Sequence, residues 1–207
     1  MGRSQAFDTT TVVQAARDLF WDKGYDGVSL SDLERATGLN RSSMYNAFQS
    51  KRGLFDAAVQ DYLETVIRPR LQILDAEPDG RTALITYFAG LGAAVVALTD
   101  GATQRGCLLV NSAAGLAGHD DALRAVVEQY RVELSAALAR ALSRPSVALE
   151  SPAVDIQARL LTSLSISALL LARINPTEAV AVLDSAIEQI ESLGEVGGSG
   201  GQAVRPN

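Results

Sequence analysis

Between residues 40 and 51 the chain reads NRSSMYNAFQSK, and its polar side chains can hydrogen-bond in two distinct ways. Arg41 can pair with guanine and Asn46 with adenine, each through two hydrogen bonds, while Ser42 can serve either base edge. The hydroxyls of Ser43 and Tyr45 suit phosphate oxygens. Lys51 places an ammonium where a helix is expected to start, and the free N–H groups of a helix start also attract anions. The chemistry on offer is recognition of a polyanion by placed donors, not bond making. One histidine, His119, and one cysteine, Cys107, leave no evident acid/base pair, disulfide or Cys/His metal cluster. No enzyme activity, cofactor or metal site is expected.

These donors need a frame, and the flanking sequence predicts one. Asp8 or a following Thr caps a helix to about Lys23, with Val12, Ala16, Leu19 and Phe20 at helical spacing and Gly24 as its stop. Residues 25–30 connect. Ser31 is read as the cap of a second helix ending at Thr37, because Glu34 three residues on completes a capping box. Gly38-Leu39-Asn40 turns the chain, and Asn40 caps a third helix, Arg41 to Phe48. Met44 and Phe48 share its inner face at i, i+4 spacing. Helix, tight turn and a second helix with a small, polar, basic outer face is the layout of a DNA-reading helix-turn-helix.

Ser50 then caps a long helix to about Leu74, in which Pro69 predicts a kink or break near Arg68. Further helices are expected over 81–99, 107–116, 122–142, 154–175 and 176–193, with loops at 76–80, 100–106 and 143–152. Pro176 suits the first turn of the last helix. Gly90 and Gly92 are expected to let helix 81–99 approach a neighbour closely. The Gly-rich end, 195–207, reads as disordered. The fold class is therefore all-α. The domain reading is a helix-turn-helix domain over 1–50, a helical body over 51–194, and the tail.

Of 207 residues 47% are apolar, enough for a full core, and the net charge is −6. The charge is uneven: residues 1–55 carry seven basic and six acidic side chains, +1, and residues 56–207 carry eleven and eighteen, −7. An acidic body repels nonspecific polyanions, so binding must rest on a few placed groups. The N-terminus lacks the apolar stretch of a secretory signal, and the longest nearly apolar run, 160–172, is shorter than a membrane-spanning helix needs. A soluble cytoplasmic protein is expected.

Residues 15–55, AARDLFWDKGYDGVSLSDLERATGLNRSSMYNAFQSKRGLF, resemble the DNA-binding domain of TetR/AcrR transcriptional regulators. The LF before GY, the S-L-x-D-L, the A-x-G-L turn, the Y-x-x-F and the S-K-x-x-L-F all fall at the family's spacing. The resemblance implies an all-helical homodimer. Three N-terminal helices bind a double-stranded, palindromic operator, a fourth connects them to a ligand-binding body, and the last two helices form the dimer bundle. It places Ser29, Tyr45 and Lys51 at phosphate positions, and Arg41, Ser42 and Asn46 on the exposed face of the recognition helix. Asn46-Ala47 departs from the histidine or aromatic that many members carry after the Tyr.

The resemblance also implies a ligand pocket in the body. Helix 81–99 is apolar nearly all round and so must be buried or line a cavity. The candidate lining is Tyr62, Tyr87, Asn111 and Tyr130 as polar groups, with Leu91, Val95, Cys107 and Val110 as walls. Plain core is the other reading of each. In the last helix Ala179, Val182, Leu183, Ala186, Ile187, Ile190 and Leu193 form a stripe, expected to pair with its copy across a two-fold within residues 154–193. The expected function is a ligand-responsive regulator, a repressor released by a small apolar or amphipathic effector. Cys107 supports an alternative. It lies in a G-C-L-x-x-N stretch similar to one in a branch of the family that includes electrophile-responsive repressors. A helix start and Arg105 would activate its thiol, whereas a buried free cysteine is an inert small hydrophobe. The sequence leaves effector, operator and sign of regulation open.

Overall fold

Short-range capping sets the register of the N-terminal helices. In the computed structural model, which describes residues 7–97, 105–147 and 149–193, α1 spans Thr9–Gly27 and Asp8 accepts the Thr10 N–H at 3.1 Å. Gly24 interrupts its helical dihedrals at φ +72°, so the straight helix ends where expected and a short turn follows. α2 spans Leu30–Thr37 and α3 spans Arg41–Phe48. Asn40 caps α3 by accepting the Ser43 N–H at 2.9 Å. One cap differs from expectation. Ser29, not Ser31, caps α2: its hydroxyl accepts the Asp32 N–H at 3.1 Å, while the Asp32 carboxylate accepts the Ser29 N–H at 3.0 Å. Glu34 is thereby freed, and its carboxylate accepts the Arg41 N–H at 3.0 Å, tying α2 to the start of α3.

α4 spans Lys51–Tyr62, runs through a π turn at Leu63–Ile67, and continues as α5, Arg68–Ala76. The chain stays helical through Pro69, and the irregularity near Arg68 takes the form of this π turn rather than a break. The wider π turn, with the Arg68 N–H reaching back to the Leu63 carbonyl, lies immediately before the proline and takes up its missing donor and ring bulk.

The body adds α6 (Gly80–Ala97), α7 (Leu108–Ala114), a 3₁₀ turn at Leu116–Gly118, α8 (Asp121–Leu142), α9 (Ser151–Leu171) and α10 (Pro176–Ser192). No strand occurs among the described residues. The tail 195–207 and residues 100–104 of the 100–106 loop lie outside the described residues. α10 packs along α6 and α9, α8 packs on α9, and α4 packs on α1. Arg81 of α6 closes the end of α10, donating to the carbonyls of Ile190 at 2.6 Å, Glu191 at 2.7 Å and Leu193.

Two body helices, Gly80–Ala97 and Ser151–Leu171, have mean hydropathies of 1.3 and 1.4, high enough by length and composition for a membrane span. Counting only strictly apolar runs misses this, because Gly, Ala, Ser and Thr interleave the large residues. The close helix approach also falls elsewhere than expected. A Cβ on Gly90 would meet nothing within 4 Å and one on Gly92 only Leu183 Cδ1 at 4.0 Å, whereas one on Gly80 would lie 2.2 Å from the Ala141 carbonyl oxygen.

Candidate nucleic-acid interface and effector clefts

The outer face of α3 carries the polar groups and its inner face is fixed by packing. Met44 is 1% exposed, whereas Tyr45 is 46% exposed and Ser42 and Asn46 stand open to solvent. Ser43 is half-buried, and its N–H belongs to the Asn40 cap. Arg41 is turned back toward α2, with Nε 3.4 Å from Glu34 Oε2 and Nη2 3.4 Å from Ser31 Oγ. Ser29 is exposed at the start of α2, but its hydroxyl already donates to Asp32 at 2.7 Å. These bonds, with Arg35, hold the Asp32 carboxyl far below the usual carboxylate range.

Lys51 opens α4, beside the α3–α4 corner. Its Nζ stands 4.3 Å from the Tyr25 ring centroid, a cation–π contact that orients the ammonium. Partial burial lowers its pKa, and the Asp26 charge opposes that shift. Ser50 caps the helix by accepting the Gly53 N–H at 3.0 Å. The corner is tight: Gln49 sits at φ +66°, and a Cβ on Gly53 would lie 2.0 Å from the Phe48 carbonyl oxygen.

Polar links that sequence reasoning missed join this head to the body. Arg17 of α1 pairs with Asp61 of α4 at 2.7 Å. Arg52 of α4 pairs with Asp56 at 2.7 Å and with Asp120, which also caps α8 by accepting the Leu123 N–H at 2.8 Å. Trp21 Nε1 donates to the Gly106 carbonyl at 3.2 Å, and Arg173 donates to the Trp21 and Asp22 carbonyls at 3.4 and 3.3 Å. Apart from the i,i+4 pair Arg52–Asp56, these links join residues distant in sequence, so local patterns carry no trace of them.

Among the described residues, the expected pocket residues are divided between the packed core and separate clefts. Tyr62, Tyr87 and Cys107 are each 1% exposed and packed in the core, and Val110 is also buried. Burial pushes the Tyr87 phenol up to about 12 and raises the Tyr62 and Tyr130 phenols well above their ordinary range. Leu91 and Val95 line a narrow cleft beneath α1, with a cavity volume of about 40 Å³, partly open to solvent. Tyr130 lines a second, wider cleft between α4 and α8, together with Gln60, Leu63, Val126 and Gln129. Asn111 lines a third, against the end of α1. Cys107 does precede α7, but burial raises its thiol pKa more than the N–H groups of Val110 and Leu109 lower it. Arg105, expected to activate the thiol, instead lies 3.7 Å from Asp18 and over the Trp21 ring.

Comparison with known proteins bears on this arrangement. A family model described as bacterial regulatory proteins, tetR family, matches residues 12–58. Over 144 residues the chain is 34% identical to the uncharacterized HTH-type transcriptional regulator YezE of Bacillus subtilis (strain 168), covering 70% of this chain and 73% of YezE. It is 33% identical over 112 residues to the HTH-type transcriptional repressor ComR of Escherichia coli (strain K12), covering 54% of this chain and 52% of ComR. A cysteine mutant of the TetR family regulator CifR, solved with 26-base-pair double-strand operator DNA, superposes with a TM-score of 0.75. It is 28% identical, with 90% of this chain and 98% of that one covered. Reduced NemR of Escherichia coli, 21% identical with 89% and 95% covered, shares the fold at a TM-score of 0.73.

Proposed function

Because the chain belongs to the TetR family of DNA-binding transcriptional regulators, not enzymes, we propose that it is a homodimeric repressor released from its operator by a small effector. The observation that carries this reading is the divided face of α3, with Met44 buried against its own domain and Ser42, Tyr45 and Asn46 presented outward. In this reading Asn46, Ser42 and Arg41 read bases, Arg41 after leaving Glu34. Tyr45, Ser43, Ser29 and Lys51 hold phosphates. Residues 1–50 form the reading head, and 51–194 the body. The relative ComR is named a repressor, which supports that sign. A reporter gene driven through a fragment the protein binds should lose transcription when the protein is supplied. A rise instead would make the protein an activator.

Lys51 and Asn46 act differently in this scheme. Lys51→Gln should weaken binding alike on all operator variants and flatten the salt dependence by roughly one phosphate contact. Asn46→Ala should relax preference at a single base position. A Lys51→Gln protein with an unchanged salt slope would remove the phosphate role.

The dimer surface is led by α9. Ile156, Leu160 and Leu170 are 63%, 42% and 43% exposed and fall on one stripe of α9, with exposed Ser163 and Ser167 between them, and Ile174, 75% exposed, follows in the turn after the helix. The expected stripe on α10 divides. Ala179, Leu183, Ala186 and Ile190 are buried within the chain, leaving Val182 and Ile187 at its half-exposed edge. A second copy meeting α9 and this edge gives the four-helix bundle.

Release works by population shift. An effector favouring one seating of α1 and α4 on the body changes the spacing of the two heads. Arg17–Asp61 and Arg52–Asp120 are the bonds that must yield or hold. The thiol alternative is not favoured by a buried Cys107 with a raised pKa. An alkylating reagent should therefore act alike on operator complexes of wild type and Cys107→Ser; release confined to wild type would restore the thiol.

A further inference from the structure

Two arginines line the cleft beneath α1, and their partners do not account for them. Arg70, half-buried, has no hydrogen bond or ion pair among the described residues, although acidic side chains outnumber basic ones eighteen to eleven beyond residue 55. Among the described residues, the buried Nε of Arg105 has no hydrogen-bond partner, and the one carboxylate contact of this side chain, to Asp18, is 3.7 Å long. A guanidinium withdrawn from water without a carboxylate is costly, and two in one cleft repel each other. An anion between them relieves both, and the planar guanidinium suits a carboxylate through paired N–H bonds. The remaining walls are apolar: Leu91, Ala94 and Val95 from α6, with Leu169 and Ala172 opposite. The roof is Trp21, which also stacks edge-on with Tyr62 at 4.8 Å and donates to the Gly106 carbonyl.

We infer that this cleft takes a small amphipathic carboxylate, its head between Arg70 and Arg105 and its apolar body against α6 and Trp21. The inference rests on the reading of the chain as an effector-responsive regulator and assigns the effector's chemical class. Trp21 belongs to α1, so an occupant touches the head and the body at once. It competes with Asp18 for Arg105 and presses on the seam held by the Trp21–Gly106 bond. This is the differential contact a population shift needs.

The chain's single tryptophan forms the roof, so its fluorescence reports this site alone. The probes are hexanoate and benzoate, with hexan-1-ol and benzyl alcohol as neutral counterparts. At least one carboxylate should shift Trp21 emission saturably, with its alcohol at least tenfold weaker. Arg70→Gln and Arg105→Gln should each weaken carboxylate binding at least tenfold, while Arg70→Lys recovers part of the loss. Far-ultraviolet circular dichroism and unchanged operator affinity without ligand should show Arg70→Gln to be folded. Absence of any saturable shift, equal binding of acid and alcohol, or wild-type binding by both glutamine variants would overturn the assignment. If that happens while wild type still binds its operator, the anion site fails and the regulator stands. Loss of operator binding by wild type itself would mark failure of the regulator reading.

Discussion

Replacing both Leu160 and Leu170 with glutamate should yield a folded monomer whose operator affinity is lower by about 10²- to 10⁴-fold, the gain expected from holding two sites together. Both leucines lie on the exposed stripe of α9 and neither belongs to the buried core, being 42% and 43% exposed. Their loss should therefore spare the core. Across a two-fold axis the four introduced carboxylates would be desolvated beside one another, which no dimer of this size sustains without partners. Each reading head would then bind one half-site alone. With a net charge of only +1 over residues 1–55, a single head has little nonspecific attraction to fall back on. Sedimentation and operator titration check this together. A double variant that remains dimeric with wild-type affinity would move the dimer face away from α9.

Gly53→Ala should lower both stability and operator affinity, although helix propensity alone predicts the opposite. Alanine in a helix is worth about 1 kcal/mol over glycine. Here the new Cβ would lie 2.0 Å from the Phe48 carbonyl oxygen and 3.2 Å from its carbon, both backbone atoms at the end of α3. Relief requires α3 to move away from α4, and overpacking of this kind costs about 1–3 kcal/mol. The displaced helix is the one that carries Ser42, Tyr45 and Asn46, so operator affinity should fall about tenfold or more. Gly90→Ala is the control. It lies in α6 with nothing within 4 Å of the added Cβ, and it should stabilise by about 0.5–1 kcal/mol. Thermal unfolding of the two variants should move in opposite directions. A Gly53→Ala protein as stable as Gly90→Ala would show that the α3–α4 corner has slack.

The N-terminal head was legible in the sequence because its determinants are short-range. Asn40 and Ser50 cap helices through side chains three residues from their partners, and Gly24 supplies a positive φ. The α2 cap was ambiguous for the same local reason. Ser29 and Ser31 each stand three residues before a carboxylate, and only the pairing of Glu34 with Arg41 across the turn decides between them. Pro69 marked the place of a helix irregularity but not its form, because a π turn just upstream accommodates the proline without breaking the helix. The body was legible as helices but not as a site. Tyr62 and Tyr87 suggest polar groups in a cavity and Cys107 one of its walls, yet packing buries all three. The cleft instead combines Trp21 from α1 with Arg70 and Arg105 from the body, residues brought together only by the tertiary fold.

The most direct test of the account is a footprint on a genomic fragment selected by the purified protein. A dimeric regulator should protect two half-sites related by a two-fold, with centres about one helical turn of DNA, or a multiple of it, apart. Asn46→Ala should alter base preference at the same position in both. Selection that enriches no sequence, or protection of one site without a symmetric mate, would contradict it.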